Sequence, residues 1–247
     1  MTASFTPGSV DAAHLPGDSS YRDTLVRLLA AHALAEKATA WGFARALPRA
    51  SGDRRQHAIA KNIREEMEHA RLIYDALDRL GVSESIADDL MTTAWHGPSF
   101  AAPRRFAEHD TDFIDVLLAG FCLDTGGLLM IGRNYARSSY RPHAEAAAAI
   151  LRDERDHDAF AREEFRRAVG EYGAEAVQRK VDAWIPLGLN FFGPPRSRFT
   201  ARCRAFGLKA CDNSELADEF RAIVSRRLEE VGLAMPLLNA AYPFAPV

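Results

Sequence analysis

Cysteine is scarce in this chain. Three occur in 247 residues, Cys122, Cys203 and Cys211, too few and too scattered for a disulfide framework, an iron–sulfur ligand set or a zinc ribbon. Neither sign of charge is in excess, since 31 Lys and Arg face 34 Asp and Glu for a formal net charge of −3. That balance argues against a nucleic-acid partner held by bulk positive charge. Long apolar runs are lacking as well. The most apolar stretch, 116–132, is short for a membrane span and is interrupted by Asp124, so no membrane partner is expected. Residues 1–18 show no basic segment followed by an apolar one, so no secretory signal is expected either. Together these features point to a reducing, cytoplasmic setting.

What is present suits a soluble globular protein: 47% of residues are hydrophobic and 26% charged. The length fits one large domain. Forty-three alanines, with Gly and Pro gathered in clusters, favour helix over sheet. Residues 1–19, polar and dotted with Gly and Pro, predict a loosely ordered N-terminal arm, leaving 20–247 as a single domain. Helices are predicted at about 20–47, stopped by Pro48, and at about 51–80, with Gly81 as C-cap. A short helix near 85–92 leads into a loop, 97–104, that holds two prolines. A third long helix starts after Asp110 or Thr111 and reaches about 139. Pro142 precedes a fourth that ends near Gly170, a fifth covers 174–190, and a last one follows the N-cap pair Asn213-Ser214. Four helices of nearly thirty residues in two pairs predict an all-α antiparallel bundle with a longer crossover between the pairs.

Each long helix carries an apolar stripe at spacings of three and four. The first reads Leu25, Leu29, His32, Glu36, Phe43 and the second Ile59, Ile63, Glu66, Ala70, Ile73, Leu77, with His69 beside Glu66. The third reads Phe113, Leu117, Gly120, Asp124, Leu128, Ile131, and the fourth Ala147, Ile150, Glu154, His157, Ala161, Phe165. Every stripe therefore has a carboxylate at its centre, and two add a histidine three residues on.

An unpaired ionised carboxylate in a core is prohibitively costly. Four of them need about four compensating positive charges, and no Lys or Arg lies on the stripes. Two divalent metals supply that charge. A single acid-x-x-His is weak evidence: with 34 acids and eight histidines in the chain, about one arises by chance, and Asp11-x-x-His14 is read as that one. The repeat is the stronger signal. Glu36, Glu66 and His69 map onto Asp124, Glu154 and His157 by one shift of 88 residues. A duplicated helix pair bearing one acid and one acid-x-x-His is the dimetal-carboxylate pattern of four-helix bundles. Hard oxygen donors with two imidazoles suit iron, with manganese as the alternative.

Glu65 and Asp153, each just before a motif glutamate, are candidates to hold the histidine N–H groups from behind. His32, one turn before Glu36, is either a hydrogen-bond partner of that carboxylate or a satisfied core histidine. Gly126 and Gly127 each cost about 1 kcal/mol relative to alanine inside a helix. They mark room beside the metals for O2 or substrate, an unwound turn, or close helix packing. Arg196, Arg198, Arg202 and Arg204, beside Phe199, form the densest basic stretch. They are candidates for binding a substrate phosphate or an acidic partner.

With these residues in place, the chain resembles the catalytic A subunits of phenylacetyl-CoA epoxidases from about Tyr21 to Pro236. The likeness rests on Tyr21-Arg-Asp-Thr-Leu-Val-Arg leading to His32 and Glu36, and on an aspartate at 124. It continues through Ser138-Ser-Tyr-Arg-Pro142, Trp184-Ile-Pro-Leu, Phe191-Phe-Gly-Pro194 and Asn213-Ser-Glu-Leu-Ala-Asp-Glu-Phe. It departs one turn before the first motif glutamate, where Asn62 stands in place of the family's lysine. The resemblance implies a ferritin-like four-helix bundle with additional C-terminal helices. It also implies a di-iron site on Glu36, Glu66, His69, Asp124, Glu154 and His157, and O2 as co-substrate. The implied activity is insertion of oxygen into a small organic molecule, an aryl-CoA ester being one class, with electrons from a separate reductase. A metal-free sister subunit or a second copy of the chain would be a further partner. The alternatives are a ferroxidase-type or dimanganese protein, and a biosynthetic di-iron oxidase of a non-CoA small molecule.

Overall fold

The spacing of the apolar stripes is realised as nine α-helices among the described residues. The computed structural model describes residues 5–109, 112–238 and 242–244. The helix α1 (Ser19–Ala46) starts where the Asp18 side chain accepts from the Ser20 N–H. It is followed by α2 (Asp53–Asp78), α3 (Glu84–Trp95) and α4 (Ala101–Glu108). The second half comprises α5 (Phe113–Arg133), α6 (Arg141–Tyr172), α7 (Ala174–Asn190), α8 (Arg198–Ala205) and α9 (Asn213–Glu229). Helix α1 packs mainly on α2 and α5 mainly on α6, and α2 meets α6 to join the two pairs. Among the described residues there is no strand, only an isolated bridge between Val10 and Tyr140.

Several elements differ from the sequence expectation, each for a local reason. Segment 97–104 is not a loop: Pro98–Phe100 forms a 3-10 turn that runs into α4. Pro98 and Pro103 both sit in first turns, where no intrahelical N–H bond is forfeited. Helix α5 stops at Arg133, short of 139. The next residue, Asn134, uses its side-chain Oδ1 to accept from the N–H groups of Ala210 and Cys211, at 2.9 and 2.8 Å. The eight-residue α8 has too short a period to stand out in the sequence. The N-cap of α9 is Asp212, which forms a capping box with Glu215. Asp110 and Thr111, where the third long helix was expected to begin, lie outside the described residues.

The N-terminal arm is docked over the residues described. Val10 donates to Ser139 O and its carbonyl accepts from Arg141 N–H, at 2.9 and 2.8 Å, while Phe5 stacks on Tyr21 with ring centroids 5.3 Å apart. Asp11 caps the turn that contains His14, and that pair lies at the surface, away from the bundle centre. Helix α5 is the centre of the bundle. Phe113–Arg137 is the one segment among the described residues apolar and long enough to cross a membrane, and 83% of its 18-residue apolar stretch is buried inside the protein.

Close approach of α4 to α1 depends on Gly42, where a Cβ would overlap the Phe106 ring. Phe106 is itself fully enclosed and rests edge-on against Phe43, so it has nowhere to retreat. Gly42→Ala is therefore expected to lower stability by about 1–3 kcal/mol through overpacking, despite alanine's better helix propensity. Urea unfolding of the variant measures this, and an unchanged or raised midpoint would refute the packing account.

Candidate metal centre

The four carboxylates and two histidines predicted from the stripes converge in the middle of the bundle, and all six are buried. Ligand-capable atoms of Glu36, Glu66, His69 and Glu154 lie within 4.8 Å of one another. His69 Nδ1 stands 3.5 Å from Glu154 Oε1 and 3.7 Å from both Glu36 Oε2 and Glu66 Oε2. On the other side, His157 Nδ1 is 3.2 Å from Glu66 Oε1 and 3.8 Å from Glu154 Oε1. Glu66 and Glu154 thus touch both imidazoles, while Glu36 sits with His69. Asp124 lies outside the tightest group but couples electrostatically to His157.

The outer nitrogens of the two imidazoles are held in a crossed arrangement. His69 of α2 meets Asp153 of α6 at 3.3 Å through Nε2, and His157 of α6 meets Glu65 of α2 at 3.0 Å through Nε2. Each Nδ1 is consequently aimed into the cluster. His69 Nδ1, His157 Nδ1 and Asp124 Oδ2 are buried without a hydrogen-bond partner. Three orphaned atoms turned into one space among carboxylates are costly as they stand, and a cation is what such atoms accept. The donor set fits two hard divalent ions.

Electrostatics agree. Burial raises the Asp124 carboxyl well above its usual range, and burial together with Glu66 and Glu36 does the same to Glu154. Burial works against charge on His69, yet Glu36 and Glu66 outweigh it and hold its pKa up at about 12. His157 is held at about 10 in the same way, chiefly by Glu66. Burial would raise Glu36, but His32 and His69 more than offset it and pull its pKa down. All of these shifts trace to carboxylates and imidazoles crowded into one buried place.

The two glycines of α5 separate into different roles, and the helix runs through them unbroken. A Cβ on Gly127 would come within 3.0 Å of Glu154 Oε2, so its absence makes room for a carboxylate of the cluster. A Cβ on Gly126 would meet the Phe191 ring at 3.0 Å, so that glycine serves packing. His32 Nε2 lies 2.8 Å from Glu36 Oε1. Lys61, half-exposed, pairs with Glu65 at 2.9 Å, and Asn62 is buried with its amide nitrogen unpartnered.

The cluster opens into a cavity of about 210 Å³ whose wall includes Glu36, Glu66, Asp124, Glu154 and Gly127. Most of the remaining wall is apolar, with Leu28, Leu123, Met130, Ile131, Phe100 and Phe192. Arg196 and Arg198 are exposed and do not line it, whereas their neighbours Ser197 and Phe199 do. Besides His32, the wall holds Lys209, whose buried amine has its pKa lowered by burial. Its Nζ donates to Asn213 Oδ1 at 3.3 Å, and Thr200 Oγ1 donates to the same oxygen at 3.0 Å.

Sequence reasoning missed Lys209, because a lone lysine after a short helix has no periodic signature. It also missed His143, and the lock formed by Thr125, Asp158 and Arg227. There the Arg227 guanidinium reaches both oxygens of Asp158 at 2.7 and 2.8 Å and Thr125 Oγ1 at 2.7 Å. Asp158 and Thr125 directly follow His157 and Asp124 in the chain.

The comparisons bear on the same span. The model of the family described as phenylacetic acid catabolic protein matches residues 12–242. The 1,2-phenylacetyl-CoA epoxidase A subunit from Escherichia coli (strain K12) is 26% identical over 226 residues, covering 88% of this chain and 70% of that protein. Among solved structures, protein 19 from Synechococcus, with aldehyde deformylating oxidase activity, superposes with a TM-score of 0.65. It shares 22% identity over 91% of this chain and 94% of that one, a likeness of fold. The family pattern begins in the docked arm, spans all nine helices and encloses the six converging side chains, and the chain belongs to the phenylacetic acid catabolic protein family.

Proposed function

We propose that this protein is the metal-bearing subunit of an O2-dependent oxygenase acting on a small, largely apolar molecule with one acidic or acyl end. The observation that carries the reading is the buried cluster of four carboxylates and two imidazoles, whose four carboxylates line a largely apolar cavity. Glu36 and His69 would hold one iron, Asp124 and His157 the other, and Glu66 and Glu154, which reach both imidazoles, would be shared. When bound, the pair of ferrous ions supplies the electrons that activate O2 for transfer of one oxygen atom, and a separate reductase restores them.

The chain's own side chains do the rest. Asp153 and Glu65 fix the imidazoles with Nδ1 turned inward. Gly127 leaves Glu154 free to change its position as charge at the site changes. The apolar wall excludes bulk water from the reacting end. Lys209, held by Asn213, offers N–H donors to the polar end of the substrate, while the apolar part lies toward the carboxylates. In the E. coli relative's name the substrate is phenylacetyl-CoA, and an aryl-CoA ester is the class to test first, with the free aryl acid beside it.

The test is turnover of iron-loaded protein with a reductase, NADPH and labelled O2 on both compound classes. Product carrying one labelled oxygen is the expected result; reductant consumption with iron oxidation but no organic product would replace the reading with a ferroxidase. Lys209→Met is expected to raise KM about tenfold or more with kcat little changed. This follows because a charge-assisted hydrogen bond contributes about 1.5–3 kcal/mol. An unaltered KM would remove Lys209 from substrate binding.

A further inference from the structure

Behind Glu36, on the side away from His69, lies a second pair of imidazoles. His143, in the first turn of α6, is fully buried, and its Nε2 stands 3.1 Å from His32 Nδ1. His32 Nε2 in turn stands 2.8 Å from Glu36 Oε1. Tyr135 packs against both rings, with centroids 4.4 and 4.9 Å away, and His143 Nδ1 has no partner.

Elementary hydrogen-bond accounting assigns the protons. A carboxylate accepts only, so His32 must present Nε2–H to Glu36. In the Nε2–H tautomer the Nδ1 of His32 is bare and, 3.1 Å from His143 Nε2, requires a donor. His143 Nε2–H is the group in position, and a neutral imidazole carrying its proton on Nε2 has a bare Nδ1. The bare atom this requires is the atom found without a partner. Burial, with His32 beside it, pushes the His143 pKa well down, and a neutral imidazole has a single N–H to give.

We propose that His143 is a positioning residue for the Glu36 side of the metal centre. By donating to His32 it fixes that ring's tautomer, and through it the orientation of the Glu36 carboxylate. The proposal rests on the metal reading above. It goes beyond it in assigning a chain of two histidines to one of the two metal positions and no such chain to the other. Loss of a group that stands behind a ligand typically weakens metal affinity about 10–100-fold.

The experiment titrates metal-free wild type, His143→Phe and His143→Gln with Co(II), followed by visible absorption and calorimetry. Gln offers an amide N–H near the place of Nε2, whereas Phe keeps the ring and removes the donor. The expected result is two Co(II) sites in wild type and one of the two weakened at least tenfold in His143→Phe. The other site should stay within about threefold, and His143→Gln should recover most of the loss. Nitrogen-15 imidazole shifts of the metal-free chain are expected to show Nε2–H on both His32 and His143, a readout that survives even if His143→Phe does not fold. Equal weakening of both sites, equal loss in Phe and Gln, or an Nδ1–H tautomer on His32 would overturn the proposal while leaving the metal centre intact. A wild type that binds no pair of Co(II) ions would instead overturn the metal reading, and this one with it.

Discussion

Loading the metal-free chain with two divalent cations at pH 7 is expected to expel about two to four protons per molecule. His69 and His157, held charged by the carboxylates around them with pKa values of about 12 and 10, must each lose a proton before Nδ1 can bind metal. Asp124 and Glu154, whose carboxyls burial pushes well up, add up to two more. Groups with raised pKa values hold protons that compete with metal, so apparent affinity rises with pH and falls steeply on acidification. Each proton released contributes about a tenfold change in the overall loading constant per pH unit, or about 1.4 kcal/mol. Calorimetric titration in buffers of different ionisation enthalpy counts the protons. A count below one, or metal uptake indifferent to pH between 6 and 8, would show that the cluster is not organised for cations.

Arg227→Met is expected to be the most damaging single change outside the cluster. The guanidinium closes over Asp158 bidentately and also donates to Thr125, and both side chains of the ion pair are about nine-tenths buried. It lies over the Phe121 ring as well. Removing one member of a buried pair leaves the other charged and unpaired, at a cost of about 3–5 kcal/mol. Because Asp158 follows His157 and Thr125 follows Asp124, the damage should reach the metal site as reduced occupancy of the Asp124–His157 position. Pairing the change with Asp158→Leu should restore most of the stability, since the uncompensated charge goes with it. Thermal unfolding of the single and double variants decides this. A single variant within 1 kcal/mol of wild type would show that water reaches Asp158 and that the pair is not a lock.

The six cluster residues and the two acids behind the histidines were legible because they obey a local period and a repeat. Helical spacing placed Glu36, Glu66, Asp124 and Glu154 on apolar stripes, and the cost of burying charge gave those positions a chemical meaning. Arg196 and Arg198 were singled out by density of charge alone, which says where solvent is welcome and nothing about a cavity. His143 and Lys209 escaped notice because their partners are set by tertiary packing. His143 meets His32 across 111 residues of sequence, and the lysine is buried by a turn between two C-terminal helices. The missed helix α4 followed from treating proline as a breaker, when its position in a first turn makes it an initiator.

The crossed holding of the imidazoles has a consequence for how the two halves of the chain depend on each other. The shift of 88 residues that relates the six clustered side chains also relates Glu65 to Asp153. Yet each of those acids serves the histidine of the opposite repeat. Neither repeat is self-sufficient: a helix pair taken alone would carry one acid, one acid-x-x-His and an imidazole with nothing behind it. Two identical pairs related by a two-fold axis would satisfy every one of these contacts. The two helix pairs therefore complete each other's histidine support reciprocally, as the halves of a symmetric dimer would. The departures from symmetry are then the places where the halves have been specialised: the His32–His143 chain behind Glu36 on one side, and the Arg227 lock beside Asp124 and His157 on the other.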